Sequence, residues 1–346
     1  MTQNTPLSPR PLHHLSDVHH RVLTAAELRK HGVSTAELTE RCRPGGAWRQ
    51  LLPGVVLLRP GPPTSEERLH AVLLYAARVP AAQAVPPQPR PEKSHETRYP
   101  EVMITGNAAL ALHGFAATTP LPLLDRIDVL VPRARRLRST ESVRVVRTPF
   151  MPVAQQVAGV PVAPVPRAVA DAVAELSDST TVRLLLSEAV RAGHCEPAAV
   201  VRELNDAKLL GLPHVVNAVD SLLAEGRALA EDRLYRMVRE YGLPDPVWNV
   251  DLRLPGGPHL GGLDAYWPDQ AVAVELDTRA PSQDEDALWS EYARKREHLE
   301  RLGITVVHIS PKKLRESMEQ QATVVRTALM ASDDRDPAAC VVVLPR

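Results

Sequence analysis

From Leu23 onward, apolar and polar positions alternate with periods that change several times along the chain. TAAELRKHG (24–32) spaces its apolar residues as a short helix closed by Gly32, and STAELTERC opens a second helix at Ser34, with Glu37 at capping-box distance. RQLLPGVVLL around Pro53-Gly54 predicts two short strands in a hairpin, and SEERLHAVLLYAARV predicts an amphipathic helix. Further on, the pattern predicts a helix at 106–114 and strands at 125–131 and 142–148. Helices follow near 166–176, 180–192, 197–207 and 213–224. EDRLYRMVREYG then predicts a helix ended by Gly242. It is followed by the strands VWNVDLRL, GGLDAYW and AVAVELDT, the helix DALWSEYARKREHLERLG, the strand ITVVHIS and a closing helix from Pro311. Three strands, a helix and a fourth strand describe an α/β core with helices on its faces.

The expected class is therefore α/β, with these boundaries: a loose N-terminus (1–20), a helix–turn–helix with wing (21–79) and a Pro-rich linker (80–100). A middle section combining α/β and helical parts (101–225), a mixed sheet flanked by helices (226–332) and a tail (333–346) complete it. Length adds that 346 residues can bury more than one core. The 41 basic and 41 acidic residues balance, so no global field announces a nucleic-acid partner and any such site must be a local patch. Cys42, Cys195 and Cys340 are scattered, which argues against a zinc site or disulfide framework and fits a reducing, cytoplasmic compartment. No long apolar run is present, so no membrane is expected as a partner.

The candidate chemistry gathers in GLDAYWPDQAVAVELDTRA (262–280). Taking Trp267-Pro268-Asp269-Gln270 as the turn predicts Tyr266 opposite Ala271, Asp264 opposite Ala273 and Gly262 opposite Glu275. Side chains alternate along a strand, so Asp264, Ala273, Glu275 and Asp277 share one face, while Leu263, Val272, Val274 and Leu276 face the core. Asp264 and Glu275 become diagonal neighbours, roughly 7–8 Å apart at the backbone. A buried pair of that kind suits a hard divalent cation such as Mg²⁺ (or Mn²⁺), with Asp264 and Glu275 as its ligands. The alternative is an exposed strand end, with the acids solvated or paired to Arg279. In the following helix the stripe Leu288, Tyr292, Leu299, Leu302 has Lys295 as its middle member, so periodicity turns a lysine toward the sheet. Its ammonium either escapes along the surface or stands near the carboxylates.

Asp264, the turn and Glu275-Leu276-Asp277 together resemble the core of PD-(D/E)xK nucleases, and more closely the branch related to very-short-patch-repair endonucleases. The match covers 229 to 316. The resemblance implies a restriction-endonuclease-like sheet and Mg²⁺-dependent hydrolysis of DNA phosphodiesters. It gives Glu231 the place of the acidic residue before the sheet. Asp264 and Glu275 would hold metal, Asp277 stands at the family's usual lysine, and Lys295 is a displaced substitute. Two features depart from the family. Asp277 carries no positive charge, and the glycine and histidine that many relatives show are here Thr278 and Arg279-Ala280-Pro281.

At the N-terminal end, Arg21, Arg29, Lys30, Arg41, Arg43, Arg49 and Arg59 oppose Glu27, Glu37 and Glu40, a local net charge of +4 over 21–60. Arg41, Arg43 and Arg49 are placed to touch phosphates, and Ser34 and Thr35 to face base edges if the second helix enters a major groove. The stretch LTAAELRKHGVSTAELTERCRPGGAWRQLLPGVVLL resembles the N-terminal winged helix of abortive-infection type IV antitoxins, which implies DNA binding and autoregulation. Trp48 is expected beneath the wing. The functional expectation is a DNA-binding protein with an Mg²⁺-dependent endonuclease domain. The alternative is an antitoxin-like regulator that keeps a nuclease fold without cleavage. A homodimer and a toxin partner are admitted beside DNA.

Overall fold

The computed structural model describes residues 21–78, 99–278, 285–332 and 341–345, with backbone alone over 285–292. The expected loose N-terminus (1–20), the linker over 80–98, Arg279, Cys340 and the side chains of Leu288 and Tyr292 lie outside the described residues. The chain is a mixed α/β protein of two compact units, Met1–Ser177 and Asp178–Arg346. Among the described residues, three sheets are formed and no helix is long and apolar enough to cross a membrane.

The first unit opens with β1 (Val22–Thr24), α1 (Ala25–Lys30), α2 (Thr35–Arg41), β2 (Arg49–Leu52) and β3 (Val55–Leu57). The reciprocal capping box closes α1, where Thr24 Oγ1 accepts the Glu27 N–H and the Glu27 carboxylate accepts the Thr24 N–H. Ser34 caps α2 from one side only, since Glu37 spends its carboxylate on Arg41 at 2.5 Å. Gly54, at φ +73° behind Pro53, meets the demand of a tight turn, and a register slip between Gln50 and Leu52 takes up the twist. β1, which the periodicity does not predict, pairs with β3 and gives the order β1-β3-β2. Leu28, Val33, Trp48, Val56 and Leu58 fill the space beneath.

The next helix, α3 (Ser65–Ala77), departs from the amphipathic expectation: every residue from Leu69 to Ala76 is buried. It contacts β1, β2 and β3 and also a second sheet, and a helix covered on both sides is apolar all round. That sheet has the order β6-β5-β4-β8-β7, from β4 (Met103–Thr105), β5 (Ile127–Pro132), β6 (Val143–Thr148), β7 (Gln155–Val157) and β8 (Val160–Val162). Helices α4 (Gly106–Leu112) and α5 (Val165–Val173) pack with it. Buried Asp171 has a structural role, accepting from Thr105 Oγ1 at 2.5 Å and from Arg167 Nε and Nη2 at 3.0 and 2.8 Å. His113 ends α4, as its place before Gly114 predicts.

The second unit begins with α6 (Ser179–Arg191), α7 (Pro197–Asp206) and α8 (Pro213–Glu240). The last is one continuous 28-residue helix, so the expected boundary at 225/226 falls inside it. Gly226 lies at that boundary without breaking the helix. Its missing side chain instead lets α7 approach, because a Cβ there would stand 2.3 Å from Pro197 Cγ. Gly226→Ala is expected to destabilise this unit by about 1–3 kcal/mol despite the better helix propensity of alanine. Urea unfolding followed by circular dichroism measures it; an unchanged or raised midpoint would refute the close packing.

Five strands follow in the order β12-β11-β10-β9-β13: β9 (Val247–Arg253), β10 (His259–Trp267), β11 (Val272–Leu276), β12 (Thr305–Ile309) and β13 (Val342–Pro345). All neighbours are antiparallel except β11 and β12, which run parallel with α9 (Glu285–Arg301) between them in sequence. The end of the expected tail is thus an edge strand, β13. The expected closing helix is two, α10 (Pro311–Glu316) and α11 (Met318–Met330). One sheet face packs Ala265, Trp267, Val272, Val274 and Leu276 against α8 and α11. The other packs Tyr266, Ala273, Val250, Leu252 and, contrary to expectation, Leu263 against Leu299 of α9. Both faces are core, which is why Ala271–Val274 reads as an apolar run.

Candidate functional site

The β10–β11 hairpin positions both central carboxylates, but in a register two residues from the one expected. Tyr266 pairs with Ala273 and Trp267 with Val272, so the connection is the four residues Pro268 to Ala271. Ala271 takes φ +47° and its N–H donates to Pro268 O, which lengthens the loop beyond the assumed turn. The paired register ends at Ala265–Val274, and with Leu263 on the α9 face and Ala265 on the other, strand alternation breaks at Asp264.

The ladder itself stops there. Asp264 Oδ2 accepts the Leu276 N–H at 2.6 Å, so a side chain takes the place of a strand carbonyl. Arg227 Nη2 of α8 donates to Asp264 Oδ1 at 2.8 Å, and its Nε donates to Glu231 Oε1, one turn along, at 2.8 Å. On the α9 side, Lys295 Nζ donates to Glu275 Oε1 and to Gly262 O, both at 2.8 Å. Lys295 therefore faces the sheet. Gly261 makes room for it: at φ +118° it adopts a conformation that side chains rarely permit, and a Cβ would lie 2.7 Å from Lys295 Cε.

Asp264 and Glu275 are both buried. Burial pushes the Asp264 carboxyl above its usual range. The Leu276 N–H and Arg227 pull against that, while nearby Glu231 and Glu275 add to it. On β12, His308 is the parallel partner of Glu275, with Nδ1 3.8 Å from Oε2. Burial lowers its pKa; Glu275 opposes this, Arg296 and Lys295 reinforce it, and Asp277 opposes it.

Of the expected residues, Glu231 and Asp264 are joined through Arg227 on the α8 side, and Lys295 joins Glu275 on the α9 side. Asp277 lies exposed just past β11, and among the described residues no group of three or more His, Cys, Asp or Glu gathers as an ion cage. Arg227 and His308 are additions. A signal for Arg227 existed in its i, i+4 spacing to Glu231, visible once α8 is taken as continuous. His308 had none, because strand pairing across 33 positions leaves no local trace.

In the winged region, Ser34 is occupied as a cap and Thr35 is exposed at the first turn of α2. Arg41 pairs with Glu37 and lies over the Trp48 ring at 4.5 Å, with Trp48 in the core as expected. Arg43 pairs with Glu40 at 2.8 Å, and exposed Arg49 reaches Gly61 O. Arg21 and Arg59, counted in the basic patch, are instead committed to buried Glu67. No protein-family model matches the chain, and no curated protein matches it.

Proposed function

We propose that the chain is a DNA-binding protein whose second unit hydrolyses DNA phosphodiesters with Mg²⁺ or Mn²⁺. The observation that carries this is the juxtaposition of two buried acids with a lysine: Asp264 is anchored on Leu276, the residue after Glu275, and Lys295 Nζ sits 2.8 Å from Glu275 Oε1. Helix, three antiparallel strands, helix and a strand parallel to the third is also the order that the PD-(D/E)xK resemblance implies.

The donors suit a hard divalent ion. Asp264 and Glu275 offer carboxylate oxygens, each with lone pairs beyond the hydrogen bond it accepts, and an ion would relieve the penalty that burial places on Asp264. Such an ion supplies Lewis acidity toward a phosphate and a water of lowered pKa. The chain's own groups do the rest. Arg227 holds Asp264 in orientation, Glu231 holds Arg227, and Lys295 presents a cation beside Glu275 where phosphate charge develops.

The winged region delivers the protein to DNA in this reading. Its exposed Arg29, Lys30, Arg43 and Arg49 are phosphate contacts. The ion pairs of Arg41 and Arg43 with Glu37 and Glu40 lie at the surface and yield readily to a phosphate. A cytoplasmic site of action follows from a DNA substrate.

A second reading is a regulator that binds DNA without cutting it. It is favoured by Asp277 in place of a lysine and by Arg227 and Lys295 already neutralising the two acids. Supercoiled plasmid incubated with the purified chain separates the two. Nicking that requires Mg²⁺ or Mn²⁺, stops with chelator and is absent in Asp264→Ala supports the enzyme. Intact plasmid under every metal, with DNA binding retained, supports the regulator.

A further inference from the structure

Near Asp264, a partly exposed aromatic pair forms where Trp248, packed on the core along one side, meets Tyr235. The chain has two Phe, four Trp and six Tyr, yet Tyr235 of α8 is 40% exposed. Its ring stands against Trp248 of β9, with centroids 4.1 Å apart and planes tilted by 57°. Exposed Val247 extends the apolar surface. Asn249, in the middle of β9, takes φ +49° and donates from Nδ2 to the Tyr235 hydroxyl at 3.2 Å. A left-handed residue inside a strand is strained, and asparagine is among the few that tolerate it.

The location gives these features a common purpose. Leu263 pairs with Val250 and Ala265 with Trp248, so Asn249 lies opposite Asp264 where the β9–β10 ladder is interrupted. Along α8, Arg227, Glu231 and Tyr235 follow at steps of four and form one stripe. The stripe runs from the cation on Asp264 to the aromatic pair.

We propose that Tyr235, Trp248 and Asn249 form a platform on which an unpaired nucleobase of single-stranded DNA stacks, beside the phosphodiester held at Asp264 and Glu275. The proposal rests on the nuclease reading and narrows its substrate class. A half-exposed aromatic face complements a base that has left its neighbours, whereas the bases of a duplex offer their faces to one another. The Asn249 amide carries both donor and acceptor, the chemistry that pairs with a base edge. The strain at Asn249 turns that side chain out of the alternation of β9 and onto Tyr235.

Base-dependent binding without metal tests this apart from cleavage. The full chain, in chelator, is titrated with a short single strand carrying 2-aminopurine and with a strand of equal length made of abasic sites, which keeps the phosphates. The base-bearing strand is expected to bind about tenfold tighter, with quenching of the 2-aminopurine emission. Trp248→Ala and Tyr235→Leu should remove both the preference and the quenching, while Tyr235→Phe keeps them. Matched melting curves establish that Tyr235→Leu is folded. Equal binding of the two strands, or a preference that survives both substitutions, overturns the platform; that includes the case in which the aromatic pair docks a protein. A chain that never nicks plasmid can still show base-dependent binding, and one that nicks can lack it, so the two readings fail separately.

Discussion

Glu275→Ala is expected to abolish metal-dependent nicking, and Lys295→Met to leave roughly a hundredth of it. The two changes differ in kind. Glu275 supplies an oxygen donor on the strand beside that of Asp264, and without it a single carboxylate faces an ion that binds through one or two such groups. Lys295 supplies charge and position. Its methionine replacement keeps the stem that packs beneath the helix but removes the ammonium from both Glu275 Oε1 and Gly262 O. Glu275 then stays buried without its nearest cation, a costly state that a divalent ion offsets. Saturating Mn²⁺ should therefore raise the melting temperature of Lys295→Met more than that of the natural chain. Initial nicking rates and melting curves, each with and without Mn²⁺, measure both effects. Equal rates for Lys295→Met and the natural chain would remove the lysine from the site, and full activity in Glu275→Ala would remove the site itself.

Glu67→Ala should cost the first unit about 3 kcal/mol. Glu67 is fully buried, and its carboxylate accepts from Arg59 Nε at 3.0 Å and Nη2 at 2.6 Å and from the Thr64 N–H at 2.9 Å, with Arg21 at 3.2 Å. Alanine there strands two arginines and opens the capping box of α3 together. The cost stays at the low end for buried pairs because Arg21 and Arg59 keep part of their water. Burial alone would raise the Glu67 pKa, but the hydrogen bonds from Arg59 and Thr64 and the charges of Arg59 and Arg21 outweigh it, and the net shift is downward. An acid lowered on folding contributes fully above its unfolded value, about 4.3, and loses that contribution as pH falls through the lower folded value. The stability difference between the natural chain and Glu67→Gln should accordingly shrink below about pH 4.3. Asp128, whose pKa burial raises against Arg144, shifts stability in the opposite sense but is common to both proteins and cancels. Urea midpoints of the two proteins across that range provide the check; a constant difference would mean that Glu67 acts through packing alone.

Where the sequence misled, the error lay in how far a local signal reaches. The Pro53-Gly54 hairpin, α2 with its Ser34 cap and the helix carrying Lys295 were legible because turn chemistry, capping and periodicity act within a few residues. The β10–β11 register was misjudged by two because Ala271 accepts a left-handed backbone and joins the loop, which no residue type at that position announces. The boundary expected at 225/226 fell inside one helix because the partner that Gly226 admits, Pro197, lies 29 positions earlier. α3 read as amphipathic because its second covering layer, the sheet with β4 and β5, lies more than twenty positions further along the chain, beyond the reach of any local period.

By itself, the sequence determined the class of each half, the presence of an acidic hairpin and the turning of Lys295 toward it. Those follow from alternation and helical pitch, which are properties of neighbours. The tertiary structure alone decided that Asp264 accepts from the Leu276 N–H and from Arg227, that His308 stands beside Glu275, and that Tyr235 and Trp248 meet nearby. Such contacts join residues far apart in the chain, and their energies depend on burial and direction that exist only once the sheet and its covering helices have closed.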